Sequence, residues 1–183
     1  MYLFGWKIDE HTPPETERCV LVAAPHTSNW DFPIAIAAFR ILGIPIRFTI
    51  KQEWMRVPFK WLIAPLGGIA IDRRPKTKGD ERPSMVDAMA HIFDEHERIA
   101  VIVTAEGTRS RVTHWKTGFY YIAQKANVPI CLGYCDYERK IAGIGKAIHP
   151  SGDIDRDMKE IMDFYKQFKG RHPEKFALDE RYA

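Results

Sequence analysis

Residues 19–43 read CVLVAAPHTSNWDFPIAIAAFRILG, and the order of their parts decides the fold. Cys19 to Ala24 is a short, unbroken apolar run of the kind that forms a buried strand. Pro25 stops it. The next six residues, His26-Thr27-Ser28-Asn29-Trp30-Asp31, are polar apart from one tryptophan. Phe32 to Leu42 is apolar with helical composition, and Gly43 closes it. Asp31 falls where an N-cap belongs, and Pro33 is tolerated in a first turn. The stretch is therefore strand, polar loop, helix.

The same alternation continues on the C-terminal side. Ile44 to Ile50 reads as a second strand. Trp54 to Leu66 is helical in places but is interrupted by Pro58 and Pro65. Gly68 to Ile71 is a third strand, running into Asp72-Arg73-Arg74-Pro75, and Thr77 to Pro83 is a charged loop. Ser84 to Glu97 is helical, with Met85, Ala88, Met89, Ile92 and Phe93 on one face. Ile99 to Val103 is a strand, followed by Glu106-Gly107-Thr108-Arg109-Ser110. A helix over Lys116 to Ala126, a strand over Pro129 to Tyr134, a second near Lys140 to Ile148 and a helix over Asp153 to Phe168 complete the chain. Strands alternating with helices predict an α/β fold: a single domain over 1–183 with a mostly parallel mixed sheet flanked by helices. Three polar clusters, His26 to Asp31, Asp72 to Arg74 and Glu106 to Arg111, each follow a strand. The carboxyl ends of such strands gather at one edge, so the clusters are expected to share a crevice there.

Composition sets the outer bounds. At 183 residues with 45% hydrophobic content, the chain is long enough for one real core. A net charge of +3 gives no argument for nucleic acid. The three cysteines, Cys19, Cys131 and Cys135, have no framework spacing, which favours a reducing compartment. Met1 to Glu10 lacks the basic-then-apolar pattern of a signal peptide. No apolar run approaches the roughly 20 residues that span a bilayer. These features predict a cytoplasmic protein with at most peripheral membrane contact.

The clusters carry the chemistry. A neutral imidazole is well matched to taking a proton from an alcohol near neutral pH, and a carboxylate on its other nitrogen fixes tautomer and orientation. His26 and Asp31 fit those roles if the loop folds back so that the two meet. Taken alone, the pair reads more ordinarily as a helix cap beside a solvated histidine. Arg73 and Arg109 suit bidentate phosphate recognition, with Gly107 allowing close backbone approach and Thr108 and Ser110 adding hydroxyls. Either arginine alone is more often a surface residue. Cys131 and Cys135 fall on one strand face without a histidine partner, which argues against zinc. Tyr134 and Tyr137 read as packing. Trp54, Met55, Phe59, Trp61 and Leu62, with Lys51, Arg56 and Lys60, form either a membrane foot or a cover for the sheet.

Together these blocks resemble the glycerol-phosphate and lysophosphatidate O-acyltransferase superfamily. His26-x4-Asp31 is similar to its first block, Gly68-Ile-Ala-Ile-Asp72-Arg73 to its second, Glu106-Gly107-Thr108-Arg109-Ser110 to its third and Val128-Pro129-Ile130 to the start of its fourth. Thr104-Ala105 stands where the family commonly has Phe-Pro, and Cys131 follows Ile130 where a second proline is usual. The resemblance implies His26 as general base oriented by Asp31, with Glu106 in the catalytic block. It implies acceptor binding by Arg73, Gly107, Thr108 and Arg109, and an acyl-donor region at Pro129. The expected reaction moves a fatty acyl group from acyl-CoA or acyl carrier protein, as co-substrate, to a lysophospholipid-like or other lipid hydroxyl. It needs no metal and no bound cofactor. Two further readings use the same residues: an acyl-thioester hydrolase, and an inactive lipid-phosphate binding protein.

Overall fold

The computed structural model describes residues 2–3, 5–50, 60–70 and 84–183. In chain order the strands are β1 (Tyr2–Leu3), β2 (Trp6–Ile8), β3 (Arg18–Ala23), β4 (Ile46–Ile50), β5 (Gly68–Ala70), β6 (Ile99–Val103), β7 (Ile130–Asp136) and β8 (Ile141–Ile148). The helices are α1 (Asp31–Ile41), α2 (Lys60–Ile63), α3 (Met85–Ala90), α4 (Gly118–Ala126) and α5 (Ile154–Tyr165). All eight strands form one sheet in the order β1-β2-β8-β7-β3-β6-β4-β5. β3, β4, β5, β6 and β7 run parallel, β8 turns back antiparallel to β7, and the fold is the α/β mixed sheet that the alternation predicts.

Both faces of the central strands are covered, which is why they read as continuous apolar runs. Cys19 and Leu21 of β3 pack with Ala35, Ile36, Ala38 and Phe39 of α1. Val20 and Val22 face the opposite layer, where Phe93, Phe119, Tyr120, Met158, Ile161 and Tyr165 form the larger core. Local chemistry sets the helix ends. Ser84 caps α3 by accepting from the Asp87 amide at 3.0 Å. Asp153 caps α5 by accepting from the Arg156 amide at 3.1 Å. Asn127 ends α4 in the left-handed conformation, φ 49°, and turns the chain into β7.

The helix expected over Ser84 to Glu97 is shorter as α-helix: it tightens to a 3₁₀ turn at His91–Glu95, and Met85 is exposed instead of joining the apolar face. β1 and β2 precede Cys19, where the sequence suggests no element. Trp6-Lys7-Ile8 alternates only once, too short a pattern to read, and becomes a strand by pairing with β8. Arg73, Asp72 and residues 54–59 of the suggested membrane foot lie outside the described residues. Of that foot's described side chains, Trp61 is 78% exposed. No helix among the described residues is long and apolar enough to cross a membrane.

The topology fixes where a site belongs. β3 and β6 are neighbours, yet the helix after β3 packs on one face of the sheet and the helix after β6 on the other. The loops leaving their carboxyl ends therefore part, and a crevice opens between them.

Candidate active site

The loop after β3 folds back on itself through Asp31. Asp31 is the first residue of α1, and its carboxylate points towards the loop and not into the helix. Oδ2 accepts from the amides of Thr27 and Ser28, each at 2.8 Å, and lies 3.3 Å from His26 Nδ1. Oδ1 accepts from the Tyr137 hydroxyl at 2.8 Å. The expected N-cap role thus becomes a different one: Trp30 occupies the cap position without a side-chain bond, and Asp31 staples the loop and receives the imidazole. Burial pushes the Asp31 carboxyl up, but the His26 contact, the two amides and Tyr137 outweigh it and hold it below the usual carboxylate value. An ionised Asp31 requires the proton on Nδ1 of a neutral His26. Nε2 is then left as the basic nitrogen.

The loop after β6 supports this arrangement from beneath. Glu106 Oε1 accepts from the backbone amide of His26 at 2.9 Å, while Oε2 has no partner among the described residues. Burial raises the carboxyl from 4.5 to about 7, with the nearby Asp31 charge adding a little. Glu106 therefore touches the backbone of His26, not the cavity. Gly107 has φ +67°, a left-handed conformation that favours glycine, and a Cβ there would lie 2.7 Å from the flexible end of the Lys116 side chain.

Two hollows flank the His26–Asp31 loop. The first is an apolar cavity of about 40 Å³, lined by His26, Asp31, Ala24, Phe32, Ala35, Phe39, Ile102 and Tyr134 among others. It has room for roughly three water-sized groups. The second is an open cleft of about 450 Å³ lined by Thr27, Ser28, Asn29, Trp30, Arg109, Arg171, His172 and Lys175. Arg109 thus sits across the loop from the hollow that His26 faces, and the expected single crevice is two hollows sharing one wall.

The structure brings His26, Asp31, Glu106, Gly107, Thr108 and Arg109 to the same edge of the sheet. It does not bring Pro129 there. Pro129 precedes β7, and its carbonyl accepts from the Val20 amide at 3.0 Å near the start of β3. β7 runs parallel to β3, so its amino end lies at the opposite edge and its carboxyl end reaches the site. That far end supplies Tyr137, for which the sequence suggests packing and which instead donates to Asp31. Asp136-Tyr137-Glu138-Arg139 is itself a polar cluster just after a strand, so the rule that picks out His26 and Glu106 also points to it. Cys131 and Cys135 are buried beside Cys19 in the core, and no metal-binding cluster occurs among the described residues.

A histidine–aspartate pair in a strand-to-helix loop, backed by a Glu-Gly-Thr-Arg loop at the carboxyl edge of a parallel sheet, has a counterpart among known families. Residues 7–132, more than half of the chain, match the family model described as Acyltransferase, and the protein belongs to that family. A comparison with curated proteins gives no match. The matched span ends within β7, so Tyr137, β8, α5 and the segment after it lie beyond it.

Proposed function

We propose that the protein transfers a fatty acyl group from an acyl thioester, on coenzyme A or acyl carrier protein, to the hydroxyl of a lysophospholipid-like or other lipid acceptor. The observation that carries this reading is the His26 imidazole, held on Nδ1 by Asp31 and facing an apolar cavity. Apolar walls beside a general base suit the carbons next to a thioester carbonyl. The cavity's size suits only the first few of them.

In this scheme the acceptor hydroxyl gives its proton to His26 Nε2 as its oxygen bonds to the acyl carbonyl carbon. The carbon–sulfur bond then breaks, and the thiolate leaves with the proton that His26 returns. Asp31 stabilises the imidazolium and keeps its own charge. Tyr137 and the Thr27 and Ser28 amides hold that charge in place. Glu106 fixes the backbone of His26, and Arg73 and Arg109 hold an acceptor phosphate. The scheme uses no metal and no bound cofactor.

The test follows thiol release from acyl-CoA and from acyl carrier protein, with and without lysophosphatidate, together with mass spectrometry of the lipid. Acceptor-dependent release with appearance of the diacyl product is the expected result. Equal release without acceptor, and no acylated lipid, would mean that water is the acceptor and would overturn the transfer reading.

A further inference from the structure

The open cleft on the far side of the His26–Asp31 loop is lined by cations from two distant parts of the chain. Arg109 comes from the loop after β6. Arg171 and Lys175 come from the segment after α5, which lies outside the span matched by the family. Among the described residues none of the three has a carboxylate partner. His172, in the same cleft, does have one, with Nδ1 at 3.7 Å from Glu174 Oε1. Three unpaired cations facing one hollow repel each other unless an anion joins them.

The segment that carries Arg171 and Lys175 is fastened, not trailing. Gly170 is buried so close to the loop that a Cβ there would lie 2.6 Å from Thr27 Oγ1. The His172 amide donates to that same Thr27 hydroxyl at 3.2 Å. Further on, the fully buried Asp179 accepts from the Trp115 amide at 2.8 Å and pairs with Arg181. Arg171 lies over the exposed Trp30 ring, 5.9 Å from its centroid. Lys175 ends the short 3₁₀ turn Pro173–Lys175. Both cations are thereby positioned against the loop that carries His26.

We propose that Arg171 and Lys175 complete, with Arg109, a binding site for a phosphomonoester, and that this site anchors a substrate whose reacting atoms lie at His26. Two guanidinium forks and an ammonium suit the three oxygens and double charge of a phosphomonoester. Thr27, Ser28 and Asn29 add polar groups along the wall. The acyl-transfer reading enters only in the choice of substrate. That reading gives this phosphate to the acceptor; the 3′-phosphate of a coenzyme A donor would be held by the same chemistry, and the experiment tells the two apart.

The test is equilibrium binding of sn-glycerol 3-phosphate and of adenosine 3′,5′-bisphosphate by calorimetry. The proteins are the wild type, His26→Ala, the double variant Arg171→Ala/Lys175→Ala, and Arg171→Lys. At least one probe should bind the wild type and His26→Ala alike, more weakly as salt rises. Binding should fall by about tenfold or more in the double variant and only partly in Arg171→Lys. Arg171 and Lys175 are exposed, so the melting temperature should not change and a folding defect is separable. Tighter glycerol phosphate assigns the site to the acceptor, and tighter bisphosphate to the donor. Absence of binding of both probes to the wild type, or binding indifferent to the double variant, would overturn the proposal. Acyl transfer with unchanged KM values in the double variant would also overturn it while leaving the acyl-transfer reading intact. Phosphate binding that depends on Arg171 and Lys175, in a protein without acyl transfer, would uphold it and refute that reading instead.

Discussion

Glu106→Gln isolates the contribution of one buried carboxyl. The folded protein holds the Glu106 proton up to about pH 7, against 4.5 for an ordinary glutamate. Between those values the folded state binds more protons than the unfolded chain, so stability falls as pH rises. The stabilising contribution is fully present below about pH 4.5, is lost as pH rises through about 7, and changes no further above it. A difference of roughly 2.5 pKa units corresponds to about 3 kcal/mol. Glutamine keeps the carbonyl that accepts the His26 amide and is neutral at every pH. It leaves an NH₂ where Oε2 lacks a partner, and that offset does not vary with pH. Urea unfolding followed by far-ultraviolet circular dichroism, from pH 4.5 to 8, measures both proteins. The stability of Glu106→Gln relative to wild type should increase by about 3 kcal/mol across the range, with most of the change between pH 4.5 and 7. Titrating groups remote from Glu106 are common to the two proteins and cancel, leaving only its small coupling to His26 and Asp31. A difference that stays flat with pH would refute the claim that Glu106 is a buried, largely neutral prop under the loop.

Four further outcomes follow from the site. His26→Ala should reduce acyl transfer by about 10²–10⁴-fold with the fold intact, read as acceptor-dependent thiol release. Tyr137→Phe removes a hydrogen bond to the ionised Asp31 worth about 1.5 kcal/mol or more, so kcat should fall about tenfold or more with acceptor KM unchanged. A change confined to KM would mean that Tyr137 acts on substrate and not through Asp31. Gly107→Ala places a Cβ on a residue at φ +67° and should lower stability by about 1 kcal/mol, visible as a lower melting temperature, while the flexible end of Lys116 moves aside. Ala35→Leu fills the apolar cavity, so kcat/KM for long-chain acyl donors should drop relative to that for acetyl-CoA. Equal losses for both donors would show that the chain runs elsewhere.

Much of the fold was legible in the sequence because its signals are local. Cys19–Ala24 is apolar at every position because sheet neighbours and two helix layers enclose it, and the polar loop and helix after it are equally plain. The order of such units, together with the rule that parallel strands gather their carboxyl ends, was enough to place His26, Glu106 and Arg109 at one edge. It was also enough to suggest that Asp31 could reach His26. Contacts set by the path of distant backbone were not legible. Tyr137 is 106 residues from Asp31 and meets it only because β7 lies beside β3. Pro129 carries a familiar motif but stands at the wrong end of that same strand, since strand direction, not sequence proximity, decides which edge a residue reaches. Glu106 looks like an active-site acid in sequence, and only its burial and its bond to the His26 backbone give it a supporting place. Arg171 and Lys175 lie in a C-terminal stretch with no motif at all. Tertiary packing of Gly170 on Thr27 is what carries their charge to the loop.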